Sequence, residues 1–259
     1  MATDKHRLDA RLVELGLAVS LKEAQGLILA GKIVVDDHLA DKPGLLVGGQ
    51  ARVARRGETC PFVSRGGLKL AKGLDFFGIK AAGLVCADIG ASTGGFTDCL
   101  LTRQAARVYA IDVGYGQLDF RLRQDPRVVV RERTNARHLS RESLPEPIDL
   151  AVIDASFISL KLLLPPLLPL FRGPAAILAL IKPQFEVKRG QTEGGVVNYP
   201  LLWQAAIDDI LARARELGLM SQGITESPIL GPKGNREFLV YLTDGEQLTS
   251  FPCHCVKLV

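Results

Sequence analysis

Between residues 87 and 101 the chain reads ADIGASTGGFTDCLL. An apolar run over 84–89 is followed by three glycines in six residues, Gly90, Gly94 and Gly95, and then by an apolar stretch over 96–103. That order predicts a buried strand, a tight turn and a helix. Glycine tolerates a left-handed backbone and lets main chain approach a ligand, and the first amides of the helix stay open to bind one. The unit it specifies is the repeating element of a doubly wound α/β sheet, whose ligands sit at the carboxyl ends of the strands.

The other strands follow in sequence. Residues 108–111 end in Asp112, 22 residues after Gly90, and 127–131 lead into the segment that holds Asn135. Residues 148–153 end in Asp154, and 175–181 end in Lys182-Pro183. A helix is expected over 200–217, started by Asn198 and Pro200 and stopped by Gly218. Two closing strands are expected over 220–226 and 237–242.

The loop itself narrows the ligand. Dinucleotide enzymes use G-x-G-x-x-G, and Gly90-Ala91-Ser92-Thr93-Gly94-Gly95 lacks the middle glycine. The G-K-[S/T] of a P-loop is absent. The form D-x-G-x-x-x-G-G-F resembles the S-adenosylmethionine (SAM) loop of class I methyltransferases. That resemblance implies SAM as cofactor, contacted by Asp88, Gly90, Ala91, Ser92, Gly94, Gly95 and Phe96, with Asp154 also in reach. Asp112 is placed to accept the ribose hydroxyls, and Asn135 lies in the segment expected near the adenine.

Residues 5–56 carry a separate pattern. Leu8, Leu12 and Leu15 recur at helical spacing and Gly16 stops the run. Ser20 with Glu23 reads as a capping box for a helix over 21–30. Strands are expected at 32–35 and 51–54, with a turn at Asp36-Asp37. The series Arg7-Leu8-Asp9, Leu12 to Gly16, Ser20-Leu21-x-x-Ala24 and Gly31-x-Ile33-x-Val35 resembles the alpha-L, or S-four type, RNA-binding domain. Leu21 stands where that family usually has arginine, so one RNA contact is either lost or passed to Lys22, and Asp37-His38 replace its Asn-Gly.

Charge supports a polyanionic partner. The net charge is +4, of which residues 1–69 hold +3. The densest cations are Arg52, Arg55, Arg56, Arg65 and Lys69. With Arg7, Lys22, Lys32, Lys188 and Arg189, all but Lys69 form the expected RNA-binding set. The glycine-rich stretch over 183–197 reads either as a mobile clamp beside the site or as a plain surface loop.

The acceptor atom is approached by elimination and then by likeness. Asp154-Ala155-Ser156-Phe157 has neither the N-P-P-Y clamp of amino methylation nor the Pro-Cys pair of carbon-5 methylation. Lys69, Asp154, Lys182 and Glu237 instead resemble the catalytic tetrad of the RrmJ/FtsJ-type ribose 2′-O-methyltransferases. With S-R-G-x-x-K-L, D-x-S-F-I-S, K-P-Q-F-E and G-x-x-G-N-x-E beside the RNA-binding module, the chain closely resembles the TlyA family, historically labelled hemolysins. The likeness implies SAM-dependent methylation of a cytidine ribose in ribosomal RNA. Lys182 would be the base, Asp154 would orient it, and Lys69 and Glu237 would position the ribose. A ribose hydroxyl is a poor nucleophile, so a base within hydrogen-bond reach is what the chemistry needs.

The expected architecture is thus a Rossmann-like α/β class I methyltransferase domain over 63–246, after a small α+β RNA-binding domain at 5–56 and a linker at 57–62, with a tail at 247–259. The expected partner is ribosomal RNA or a ribosomal subunit, and the expected form is a cytoplasmic monomer. Five scattered cysteines suit a reducing compartment. The most hydrophobic stretch, 160–181, is broken by four prolines, Lys161 and Arg172, and is no membrane span. Cys253-His254-Cys255 offers too few ligands for zinc, so no metal is expected. The rival functions are a hemolysin, a non-catalytic RNA-binding or ribosome-assembly protein, and a dinucleotide oxidoreductase.

Overall fold

The computed structural model describes residues 5–36, 38–55, 60–188 and 190–244. The chain forms two compact units, one ending at Cys60 and the other beginning at Pro61. Half of the expected linker (57–59), Arg56, Arg189, Asp37 and the expected tail lie outside the described residues.

The first unit runs β1 (Lys5–Arg7), α1 (Leu8–Glu14), α2 (Leu21–Leu29), β2 (Ile33–Val35), β3 (His38–Leu39), β4 (Leu46–Gly48) and β5 (Val53–Arg55). β1 pairs antiparallel with β4, and β2 lies between β3 and β5. Leu8 with Leu12, and Ala24 with Ile28, stand four residues apart and so share a helix face. Those faces bury against Ile33 and Val47. Leu15 does not continue the apolar series as expected; it caps α1 and is exposed. Ser20 Oγ accepts the Glu23 amide at 3.2 Å, but the Glu23 carboxylate returns to the Val19 amide at 2.8 Å, one residue earlier than in a capping box.

The most buried charge of this unit is Asp9, 1% exposed. Its carboxylate accepts two bonds from the Arg7 guanidinium, at 3.0 and 2.7 Å, one from Gln25 at 3.1 Å and one from the Ala10 amide at 2.9 Å.

The second unit runs α3 (Gly66–Phe76), β6 (Val85–Ile89), α4 (Gly95–Thr102), β7 (Arg107–Ile111), α5 (Phe120–Gln124), β8 (Val128–Arg131), β9 (Leu150–Ile153), α6 (Leu164–Leu167), β10 (Ala176–Ile181), α7 (Pro183–Glu186), α8 (Pro200–Glu216), β11 (Met220–Glu226) and β12 (Phe238–Thr243). They build a seven-stranded sheet in the order β11-β12-β10-β9-β6-β7-β8. Only β12 runs against its neighbours; β8, β7, β6, β9 and β10 are parallel. Every residue of β6 is buried. Val85, Ala87 and Ile89 face one apolar layer and Cys86 the other, as a central parallel strand covered on both faces requires.

Three details depart from the sequence reading. Asn198 does not start α8: Tyr199 is the cap residue, Pro200 takes the first helical position, and the Asn198 amide bonds Glu193. β12 begins at Phe238, so Glu237 stands just before it. And α3 is a full helix that the sequence did not announce, since it opens on Gly66-Gly67, poor helix formers. Gly67 leaves the room that Phe62 fills: a Cβ there would lie 2.3 Å from the ring. Gly73 lets α3 settle onto Leu178 of β10 and Leu239 of β12, where a Cβ would come within 2.9 and 3.4 Å.

The Arg7 guanidinium beside Asp9 holds its carboxyl at about 2, below the ordinary 3.8. A depressed carboxylate stabilises the fold above its unfolded value, and that stabilisation is lost as pH falls through the folded value. Carboxyl-carbon NMR of the full chain is expected to show Asp9 titrating near the bottom of the accessible range. In Arg7→Ala the midpoint should move up toward 3.8.

Candidate active site

The carboxyl end of the sheet gathers the polar residues. β6 stops at Ile89 and the chain turns through Gly90 with φ +84°. A Cβ at Gly90 would lie 2.8 Å from the carbonyl oxygen of Asp154 and 3.0 Å from Cα of Ala155. Both the turn and the contact with the neighbouring strand end therefore demand glycine. Two cavities open on either side of this contact, of about 390 and 360 Å³. Gly90, Ser92, Asp154 and Ser156 line both.

The smaller cavity is lined by Ile89, Ile111, Val113 and Leu163, with polar groups from Asp112, Thr134 and Asn135. Asp112 is held by the chain it follows. Its Oδ2 accepts the Ser92 amide at 2.8 Å and its Oδ1 the Gly114 amide at 2.7 Å. Each carboxylate oxygen keeps further acceptor capacity.

The larger cavity receives Ser64, Arg65 and Lys69 from the start of α3, Ala91, Gly95 and Phe96 from the glycine turn, and Lys182 from the end of β10. Here four charges form an alternating row. Glu237 Oε2 lies 2.6 Å from Lys69 Nζ, Lys69 Nζ 4.0 Å from Asp154 Oδ2, and Asp154 Oδ1 2.5 Å from Lys182 Nζ. Ser156 Oγ accepts from Lys182 Nζ at 3.0 Å. The Glu237, Lys182, Lys69 and Asp154 side chains are 0, 7, 9 and 19% exposed. Sheet topology explains the row. β9 and β10 are parallel neighbours, so Asp154 and Lys182 leave the sheet side by side. β12 enters antiparallel with Phe238 opposite Ile181, which puts Glu237 at the same edge. Lys69 precedes Gly73 by four residues on α3, so the face that seats Gly73 on the sheet turns Lys69 toward Glu237.

Two residues expected at the cofactor do not line either cavity. Asp88 is fully buried; its carboxylate accepts from Thr97 Oγ1 at 2.7 Å, and burial pushes it up to about 7. It ties the end of β6 to α4. Gly94 turns with φ +97° against Leu118 and Leu122, where a Cβ would lie 2.8 and 2.2 Å from their side chains. Among the expected RNA contacts, Arg65 stands at the larger cavity. Lys22, Lys32, Arg52 and Lys188 are exposed. Arg7 is paired with Asp9, and Arg55 donates to the Leu17 carbonyl at 2.7 Å and to Glu23 at 2.8 Å, so both serve their own unit.

The sequence reading left Ser156, Phe157 and Glu186 without roles. Phe157 adopts φ +63°, is 92% exposed, lines the smaller cavity and lies 5.2 Å from the Phe185 ring. Glu186 of α7 accepts from Ser159 Oγ at 2.6 Å and from the Leu160 amide at 2.7 Å, and burial pushes its carboxyl up. It staples the segment after β10 to the segment after β9. Among the described residues, no cluster of three or more His, Cys, Asp or Glu could hold a metal ion, and no helix is long and apolar enough to cross a membrane.

Comparison with known proteins defines the class. Residues 62–243 match the FtsJ-like methyltransferase family and residues 6–53 the S4 domain. A Mycobacterium tuberculosis protein named 16S/23S rRNA (cytidine-2′-O)-methyltransferase TlyA is 49% identical over 91% of this chain and 89% of its own. Two solved structures described as candidate hemolysins are also similar. The one from Streptococcus thermophilus has a TM-score of 0.74 and 38% identity, covering 95% of this chain and 90% of its own. The one from Lactococcus lactis has a TM-score of 0.71 and 45% identity, covering 72% and 90%. The chain therefore belongs to the TlyA family of FtsJ-like methyltransferases.

Gly90→Ala is expected to strain the turn and press on the Asp154 backbone, at a cost of about 2–3 kcal/mol. Thermal unfolding should show it as a Tm fall of about 5–10 °C.

Proposed function

We propose that the protein transfers a methyl group from SAM to the ribose 2′-hydroxyl of a cytidine in ribosomal RNA, working in the cytoplasm on RNA within a ribosomal subunit. The observation that carries the reading is the row Glu237–Lys69–Asp154–Lys182, of which Lys69, Asp154 and Lys182 line the larger cavity and Glu237 lies buried behind Lys69. The TlyA relative's name gives the nucleotide and the RNA.

The smaller cavity fits the nucleoside of SAM. Asp112 offers two carboxylate oxygens with acceptor capacity for ribose hydroxyls, Asn135 and Thr134 supply polar edges, and Ile89, Ile111 and Leu163 supply apolar walls. When bound, SAM supplies an activated methyl on a positively charged sulfur, which leaves as a neutral thioether.

The rest is done by this chain. Lys182 in its neutral form takes the 2′-hydroxyl proton as the oxygen attacks. Asp154 fixes Lys182 and compensates the ammonium that results. Lys69 holds Glu237 by its Oε2, and Glu237, buried and outside both cavities, fixes Lys69 where the ribose would lie. Gly231 makes room for the Glu237 carboxylate, since a Cβ there would lie 2.1 Å from its Oε1. The exposed Phe157 ring gives the target base a surface to stack on. Lys22, Lys32 and Arg52 of the S4 unit contribute phosphate contacts.

The test is methyl incorporation from labelled SAM into separated ribosomal subunits, with ribose methylation mapped by primer extension. A discrete cytidine ribose is expected to be marked in the small subunit, the large subunit or both. Lys182→Ala should lower turnover by about 10²–10⁴-fold while SAM still binds. Near-normal turnover of that variant, or a mark on a base, would overturn the proposal. Leakage from vesicles without methyl incorporation would favour the hemolysin name instead.

A further inference from the structure

Lys182 has a partner to which the family motif gives no role. Its Nζ stands 2.5 Å from Asp154 Oδ1 and 3.0 Å from Ser156 Oγ. A lysine ammonium has three N–H donors and no acceptor. The neutral amine that can act as a base has two N–H bonds and one lone pair. Ser156 Oγ takes one N–H of that neutral form in a hydrogen bond, and the Asp154 carboxylate, in ion-pair contact though outside hydrogen-bond geometry, draws the other to its side. On a tetrahedral nitrogen whose Cε bond is also fixed, one direction then remains, and the lone pair occupies it.

We infer that Ser156 is a positioning residue for the transfer: its hydroxyl, with Asp154, aims the Lys182 lone pair into the larger cavity at the ribose hydroxyl. This rests on the reading of Lys182 as the base. Asp154 alone, an ion pair without hydrogen-bond geometry, would leave the amine free to spin about its Cε bond, spreading the lone pair over several directions. Ser156 removes that freedom. The proton balance is simple. The 2′-O–H bond breaks, an N–H bond forms on Nζ along the former lone-pair direction, the N–H already bonded to Ser156 stays in place, and Asp154 compensates the new ammonium charge.

The surrounding structure keeps Ser156 where this requires it. Ser156, Asp154 and Lys182 all line the larger cavity. The next residue, Phe157, sits in the left-handed region, which commits the backbone to a single course. Three residues further, Glu186 binds both Ser159 Oγ and the Leu160 amide. Glu186 lies on α7, which starts directly after Lys182. The segment that carries the hydroxyl is thus tied to the segment that carries the amine.

The full-length Ser156→Ala protein is expected to lose about 10- to 100-fold in kcat on ribosomal subunits. Its Tm should stay at the parental value, because the serine is exposed, and its SAM affinity by calorimetry should fall far less than kcat, since Ser156 is one of many residues lining the smaller cavity. Ser156→Thr, which keeps a hydroxyl on the same carbon, should recover most of the turnover. Parental kcat in Ser156→Ala while Lys182→Ala is inactive would overturn this inference alone. A fall in SAM affinity as large as the fall in kcat would also overturn it, by making Ser156 a support of the cavity. Parental turnover in Lys182→Ala would overturn the base reading itself, and this inference with it.

Discussion

A row of four largely buried charges is the constraint that the second unit is built around. A lone buried lysine or carboxylate would carry a desolvation penalty of several kcal/mol. Alternation of sign along Glu237, Lys69, Asp154 and Lys182 makes burial tolerable, because each charge has an opposite neighbour and the sum is zero. The four come from four elements: the start of β12, the first turns of α3, the end of β9 and the end of β10. None of these can shift by a residue without leaving a partner uncompensated, so the row fixes register as well as chemistry. In exchange, the site holds its lysines rigidly near a cavity where water is sparse and electrostatic interactions are strong.

Close approach at the same sheet edge depends on residues without side chains. Gly90 brings the end of β6 against the end of β9 and so sets the wall common to both cavities. Gly95 brings the first turn of α4 against α3, where a Cβ would lie 2.2 Å from Ser64 Oγ and 2.9 Å from the Gly67 amide. The turn therefore does two things at once. It opens amides toward a ligand, and it seats α3 so that Lys69 reaches Glu237.

Much of this was legible in the sequence, for reasons that differ by element. The central strands are uniform apolar runs ended by a charged residue, and each such end, at Asp112, Asp154 and Lys182, faces a cavity. Asp88 looks the same in sequence but is fully buried and bonded to Thr97, since it lies inside β6 where the others follow their strands. The residue-by-residue reading could not see that one-position difference. The three-residue strands β1 and β4 and the two-residue β3 are too short for any periodicity, and α3 is hidden by its opening glycines. Ser156 and Phe157 stood inside a quoted motif, yet their importance comes from a hydrogen bond across strands and a left-handed backbone, neither of which composition encodes.

The same limit governs charge. The cations of residues 1–69 read as one basic stripe, but pairing redistributes them. The Arg7 fork closes on Asp9, and the Arg55 fork on Glu23 and a backbone carbonyl, so each forms a locally neutral pair that an RNA strand would meet as such. Lys22, Lys32 and Arg52 stay exposed on the S4 unit, and three cations can supply modest, salt-sensitive attraction to phosphates. Phosphate contacts set position and carry no base information. Under the proposed function, the choice of nucleotide must then be made in the methyltransferase unit itself. There an unstacked base meets the Phe157 ring, and a ribose meets the fixed amine of Lys182.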